Sequence, residues 1–213
     1  NRHSRGSHPI SAQTIPHSFD EADFRENVAV ADFPTLRHVG SLYGARKANL
    51  LLPHLRRLHS IRNGDFVVEL IGSNLLSRQF PNRQGTEDPD SDFCKKLPPV
   101  SKPESIKLMR SAPLLFTLDA AKGDPVFFPS KMVEYVASGR PVIVFSIPES
   151  PSWLVGKEFG FYLADIRDSE SILETTNFAL DSFMDWKPLK GKVSQYSSGV
   201  IGNAWINLLE SIE

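Results

Sequence analysis

The feature that most constrains this chain is a repeated pairing of a short, nearly continuous apolar run with a stretch of helical periodicity. Thr35–Val39 reads as a strand that stops at Gly40, and Phe66–Ile71 as one that stops at Gly72. Phe93–Leu97, Leu114–Leu118, Pro141–Phe145 and Gly160–Leu163 are further runs of strand length. Between them lie helical patterns. Ala45–Ser60 places Leu50, Leu51, Leu55 and Leu58 on one face, with Arg56 and Arg57 outside. Pro103–Arg110 has Ser101 upstream as a cap, and Ser130–Ser138 is closed by Gly139. Ser169–Phe183 and Val193–Ile212 are expected as terminal helices. Strands that are apolar throughout are buried on both faces, so the expected fold class is α/β, an open parallel sheet with helices on both faces. Ligands of such sheets sit in the loops beyond the carboxyl ends of the strands, where the strand order reverses.

Bulk properties remove several function classes. The length of 213 residues suits one domain, and 40% apolar with 23% charged residues is ordinary globular usage. A net charge of −1 lacks the basic excess of a nucleic-acid binder, so no nucleic-acid partner is expected. The longest apolar runs, near 113–118 and 141–147, fall short of the roughly 18 residues of a membrane span. Cys94 is the only cysteine, which excludes an intramolecular disulfide and a thiolate zinc site; it reads as a small buried side chain. Residues 1–9 are polar with no apolar signal core and are expected to be a linker or unstructured lead. Ser77–Asp92 is rich in Pro, Gly, Asp and Asn and reads as a surface loop. The expected location is cytoplasmic, with peripheral contact at the inner membrane face allowed.

Three stretches have the makings of a site. The first runs from Gly40 and Ser41 to Gly44, Arg46 and Lys47, where a strand ends, a glycine loop follows and a helix with two cations is expected to begin. Free N–H groups and positive charge there favour a phosphate; a tight turn with both cations solvated is the competing reading. The second is Phe116 to Pro141. A loop containing Gly123, Asp124, Pro125 and Pro129 leads into a helix that opens with Ser130 and Lys131. A lysine is disfavoured at a helix N-terminus by the dipole, so its placement suggests an anionic partner. Glu134, one turn in, can accept hydrogen bonds from two vicinal hydroxyls such as those of a ribose, while Met132, Val133 and Val136 face the core. The third is the stiff segment Leu97-Pro98-Pro99-Val100-Ser101, able to meet a planar base or to serve only as a connection. No P-loop, GxGxxG, HExxH or GxSxG is present. Asp119 follows a strand, but no acidic pair follows Val39, so a phosphoacceptor role is rejected. The histidines His17, His38, His54 and His59 read as surface or structural, and Trp153, Trp186 and Trp205 as packing residues within helical patterns.

The segment FPSKMVEYVASGRPVIV, residues 128–144, resembles the signature of GT-B-type retaining glycosyltransferases of the group 1, family 4-like kind. Ile15-Pro16-His17-Ser18-Phe19-Asp20 resembles the opening of that family's C-terminal domain. His38 to Tyr43 resembles its first glycine loop, and Val68 to Gly72 its second strand. The resemblance covers roughly residues 10–213. It implies a Rossmann-like donor domain whose N-terminal acceptor domain is largely missing here. It further implies a hexosyltransferase using a nucleoside-diphosphate sugar, with a glycan, lipid or small-molecule acceptor held by the missing domain. Glu134 would match the ribose acid; Pro129, Ser130 and Lys131 the loop and helix start facing the diphosphate; Arg46 or Lys47 the cation on the same phosphates; Gly40 and Ser41 the glycine loop; Pro99 and Val100 the base contact. Arg46, Lys47 and Lys131 would stabilise the leaving diphosphate, with no metal and no other cofactor expected. Val126 stands where many members carry a first acid, with Asp119 and Asp124 near but out of register. A nucleotide-sugar epimerase-like enzyme and a binding module without transfer remain as alternatives.

Overall fold

The computed structural model describes residues 14–42, 44–72, 92–122, 128–189 and 193–211. The expectations for residues 1–9 and for nearly all of 77–92, and the positions of Tyr43, Asp124 and Val126, lie outside them. In chain order the elements are β1 (Thr35–Val39), α1 (Leu52–Ile61), β2 (Val67–Ile71), β3 (Cys94–Leu97), α2 (Lys102–Ser111) and β4 (Leu114–Leu118). There follow α3 (Lys131–Ser138), β5 (Val142–Ser146), α4 (Pro151–Glu158), β6 (Tyr162–Asp165), α5 (Ser169–Ser182) and α6 (Ser198–Glu210). The six strands form one sheet in the order β3-β2-β1-β4-β5-β6, and every neighbouring pair is parallel. The order reverses between β1 and β4, which therefore flank the switch point.

The apolar strands are buried on both sides, as their lack of alternation requires. In β4, Leu114, Phe116 and Leu118 pack with Leu55 and Leu58 of α1 and Ile172 and Ala179 of α5. Leu115 joins the opposite layer with Met109 of α2 and Met132, Val133, Tyr135 and Val136 of α3. Ser101 caps α2 by accepting from the Glu104 N–H at 3.4 Å, and α3 ends at Gly139 with φ 67°.

Four local expectations are corrected. The helix expected from Ala45 begins only at Leu52, after a 3₁₀ turn at Ala48–Leu50. Pro53 decides this: it has no N–H and restricts the residue before it, so it belongs in a first turn. Arg46 and Lys47 consequently lie in the loop, not at a helix start. The stretch 193–212 is broken into a 3₁₀ turn at Val193–Tyr196 and α6, which starts where Ser197 accepts from the Val200 N–H at 3.4 Å. Helix α4 has no counterpart in the sequence reading. It contains Gly156, where an added Cβ would stand 2.6 Å from Leu163 Cδ2, so close packing on the sheet hides a weak periodicity. Trp186 lies beyond α5 but packs as expected, against Phe161, and donates from Nε1 to the Gly160 carbonyl at 2.8 Å, whereas Trp205 on α6 is 51% exposed instead of packed.

Candidate functional site

The ladder between β1 and β4 covers only Leu36 with Leu114 and Arg37 with Leu115. Beyond it, side chains satisfy the main chain. Tyr135 of α3 receives the Val39 N–H at 2.9 Å and donates to the Val39 carbonyl at 3.3 Å. Burial keeps the Tyr135 hydroxyl protonated by raising its pKa. His38 bridges to β4 through Nδ1, 3.1 Å from the Phe116 carbonyl. A carbonyl only accepts, so the proton of the neutral ring is on Nδ1.

The chain ends of β1 and β2 meet at two glycines. Gly40 has φ 144°, a conformation that side chains rarely adopt, and donates to the Ile71 carbonyl at 2.8 Å. An added Cβ at Gly72 would stand 2.2 Å from the Gly40 carbonyl oxygen. An added Cβ at Gly40 would stand 3.4 Å from Lys131 Cγ and 3.8 Å from His38 Nε2. The Lys131 stem, from the start of α3, thus lies over the end of β1.

Charge collects at the same place. Lys131 Nζ pairs with the Glu134 carboxylate, one helical turn on. The anionic partner suggested by a lysine at the helix start is therefore supplied by the helix itself in this structure. His38, 6% exposed, has its pKa lowered to about 4, first by burial and further by Arg46 and Lys131. Asp119, the residue after β4, is buried, and its pKa is raised by desolvation against the opposing pull of Ser146, Ser152 and Arg46. Arg46 acts on the ends of both β1 and β4, so it too stands at the switch point.

The structure therefore gathers Gly40, Arg46, Lys131 and Glu134. Ser41 continues the Gly40 turn and is half-buried. Lys47 is exposed at the start of the 3₁₀ turn; Pro129 is buried; Ser130 is exposed and makes no side-chain cap. Pro99 and Val100 are exposed beyond β3, the edge strand two places from β1. A separate apolar groove of about 730 Å³, with Ile15, Phe128, Leu154, Val155, Ile201 and Trp205 in its walls, includes none of the four gathered residues. Among the described residues no three His, Cys, Asp or Glu side chains converge to hold a metal ion, and no helix is long and apolar enough to cross a membrane.

No protein-family model matches the sequence, and no curated protein matches it. Solved structures do. Anabaena HepE in complex with UDP-glucose superposes with a TM-score of 0.67 at 17% identity, over 91% of this chain and 56% of that one. The UDP-forming α,α-trehalose-phosphate synthase of Burkholderia xenovorans gives a TM-score of 0.61 at 11% identity, over 89% and 45%. The pneumococcal O-GlcNAc transferase GtfA gives 0.55 at 12%, over 93% and 38%. The chain has the fold of one half of a GT-B glycosyltransferase. It spans 56% or less of the length of these proteins.

His38 is one of the histidines expected to be surface or structural, and it is structural: it is buried and joins β1 to β4 through the Phe116 carbonyl. Asp119 is buried at the end of β4 and accepts from the Ser146 hydroxyl at 2.7 Å, with Ser152 also lowering its pKa.

Proposed function

We propose that the chain is the donor-binding half of a hexosyltransferase that takes its sugar from a nucleoside diphosphate. The observation that carries this is the Lys131 stem lying over the end of β1 at the switch point with Glu134 paired to it, where the charge of Arg46 also acts on His38 and Asp119. Two cations meet a diphosphate, and the carboxylate meets the two hydroxyls of a ribose. HepE, which shares the fold, was solved with UDP-glucose, and this favours the same ligand class. In this reading Lys131 exchanges Glu134 for the diphosphate, which frees the carboxylate for the ribose. Pro129 and Ser130 line the diphosphate, Gly40 and Ser41 bring backbone close to it, and Pro99 and Val100 border the base.

Glycosyl transfer leaves negative charge on the departing diphosphate. Arg46, Lys131 and the more exposed Lys47 stabilise it as fixed cations, so the reading is metal-independent. The acceptor is held by a second domain, the stereochemical course is retaining, and the enzyme works in the cytoplasm. A thermal-shift series with UDP, GDP, ADP and their sugars tests the core of the reading. A rise in Tm with a nucleoside diphosphate is expected, and no rise with any of them defeats it.

A further inference from the structure

Helix α6 is apolar but almost uncovered. From Ser198 to Leu209 it carries no charged residue, and Glu210 closes it. A surface helix of that composition normally turns its apolar side chains inward. Here Ile201 is the one residue of the thirteen that is buried, while Trp205, Ile206 and Leu209 are each more than half exposed. Leu154 of α4, nearly half exposed, shares the wall of the apolar groove with Trp205, so the apolar surface continues past the helix. Single exposed apolar residues are ordinary, but a contiguous run of them marks a contact surface.

The order of side chains along α6 says what fits it. Ser198, Gly202, Trp205 and Leu209 follow one another at steps of four, three and four residues, the spacing of a seam between paired helices. Two small residues come first and two large ones after. A two-fold axis passing between Asn203 and Ala204 sets an antiparallel copy of the helix against this seam. Gly202 then stands opposite Trp205 of the second copy, and Ser198 opposite its Leu209. Symmetry repeats both contacts, so every large side chain of the seam meets a small one. A Cβ added at Gly202 would have nothing within 4 Å, so the space for the indole is open. The seam is uncharged and does not repel itself. A membrane surface with anionic lipids would call for Lys or Arg beside the apolar stripe, and α6 has neither. We propose that two copies of this chain pair through α6, antiparallel, with Trp205 of each lying over Gly202 of the other. The pairing goes beyond the donor reading and does not rest on it. A strip about 20 Å long and about 10 Å wide is roughly 200 Å² in projection, well under the 800 Å² or so that each side of a standard stable interface buries. The dimer is therefore weak and reversible, with a Kd on the order of 10–100 µM.

The test is analytical ultracentrifugation of the chain from about 5 to about 500 µM, a range that brackets that Kd. The mass average is expected to climb from one copy towards two. Trp205→Ala removes the knob and Gly202→Leu fills the hole, and each should raise Kd about tenfold or more. Gly202→Leu cannot act by unfolding α6, because leucine favours a helix more than glycine does. The double variant Gly202→Leu, Trp205→Ala exchanges small for large on both copies and should return Kd to within about threefold of the parent's. Leu209→Glu, on the exposed face, places charge against the partner and serves if Trp205→Ala does not fold. A parent chain that stays monomeric at the top concentration overturns the pairing and leaves α6 to a different protein or domain. A monomer that co-sediments with phosphatidylglycerol vesicles overturns it in favour of a membrane. A dimer that all the variants leave unchanged overturns the assignment to α6.

Discussion

Acid should weaken this fold through His38, by an amount that follows from its burial. The unfolded ring titrates near pH 6.5, and the folded ring at about 4. The folded state binds its proton later, so the unfolded state holds more protons between those values and stability falls as pH falls. Above about pH 6.5 the contribution of the neutral ring is complete. The loss reaches about 2 kcal/mol at pH 5 and about 3 kcal/mol at pH 4, where it begins to level off. Asp119 has the opposite sign: its raised pKa means the folded state takes up its proton more readily, which favours folding in acid. Other carboxylates also titrate, so the readout is a difference. Urea denaturation of the parent and of His38→Gln is followed at pH 7, 6, 5 and 4. The stability gap between them should shrink or invert by about 2 kcal/mol from pH 7 to pH 5, on the order of 1 M in urea midpoint. Parallel curves would refute the assignment of a buried neutral imidazole.

The remaining predictions concern the anion site and its frame. Lys131→Ala should weaken nucleoside-diphosphate binding more than tenfold, since charge-assisted contacts contribute about 1.5–3 kcal/mol each; unchanged affinity by calorimetry removes Lys131 from the site. Glu134→Ala should weaken binding of a ribonucleotide far more than of its 2′,3′-dideoxy analogue, and an equal loss for both contradicts the ribose role. Gly72→Ala should destabilise by about 2–4 kcal/mol, because a Cβ 2.2 Å from the Gly40 oxygen must push apart main chains joined by the Gly40–Ile71 hydrogen bond; a denaturation midpoint equal to the parent's argues against that close approach. Tyr135→Phe should cost about 1–3 kcal/mol by leaving the Val39 N–H without its partner, read as a lower Tm.

Residues 128–144 held most of what could be read about the site. There the apolar spacing placed Met132, Val133 and Val136 inside, Gly139 ended α3, and Lys131 and Glu134 were set on one helical turn. The loop after β1 was read less well, since Pro53 shifted the helix start and moved Arg46 and Lys47 off it. Arg46 is close enough to the switch point all the same for its charge to act on His38 and Asp119. That His38 and Asp119 would be buried beside each other's strands was not legible, since nothing local distinguishes a polar residue near the end of a central strand from one at the sheet's rim.

Sequence alone determined the class of fold. Uninterrupted apolar runs cannot lie on a surface, and parallel strands separated by helices are the arrangement that buries them on both faces. It also determined the residues with charge to offer an anion. Only the tertiary structure decided which of them meet. The order β3-β2-β1-β4-β5-β6 puts β1 beside β4, with Leu36 opposite Leu114, only through a long crossover. The pull of Arg46 on Asp119, and the placement of Lys131 over Gly40, arise from that strand order and from the short β1–β4 ladder, neither of which any local pattern encodes.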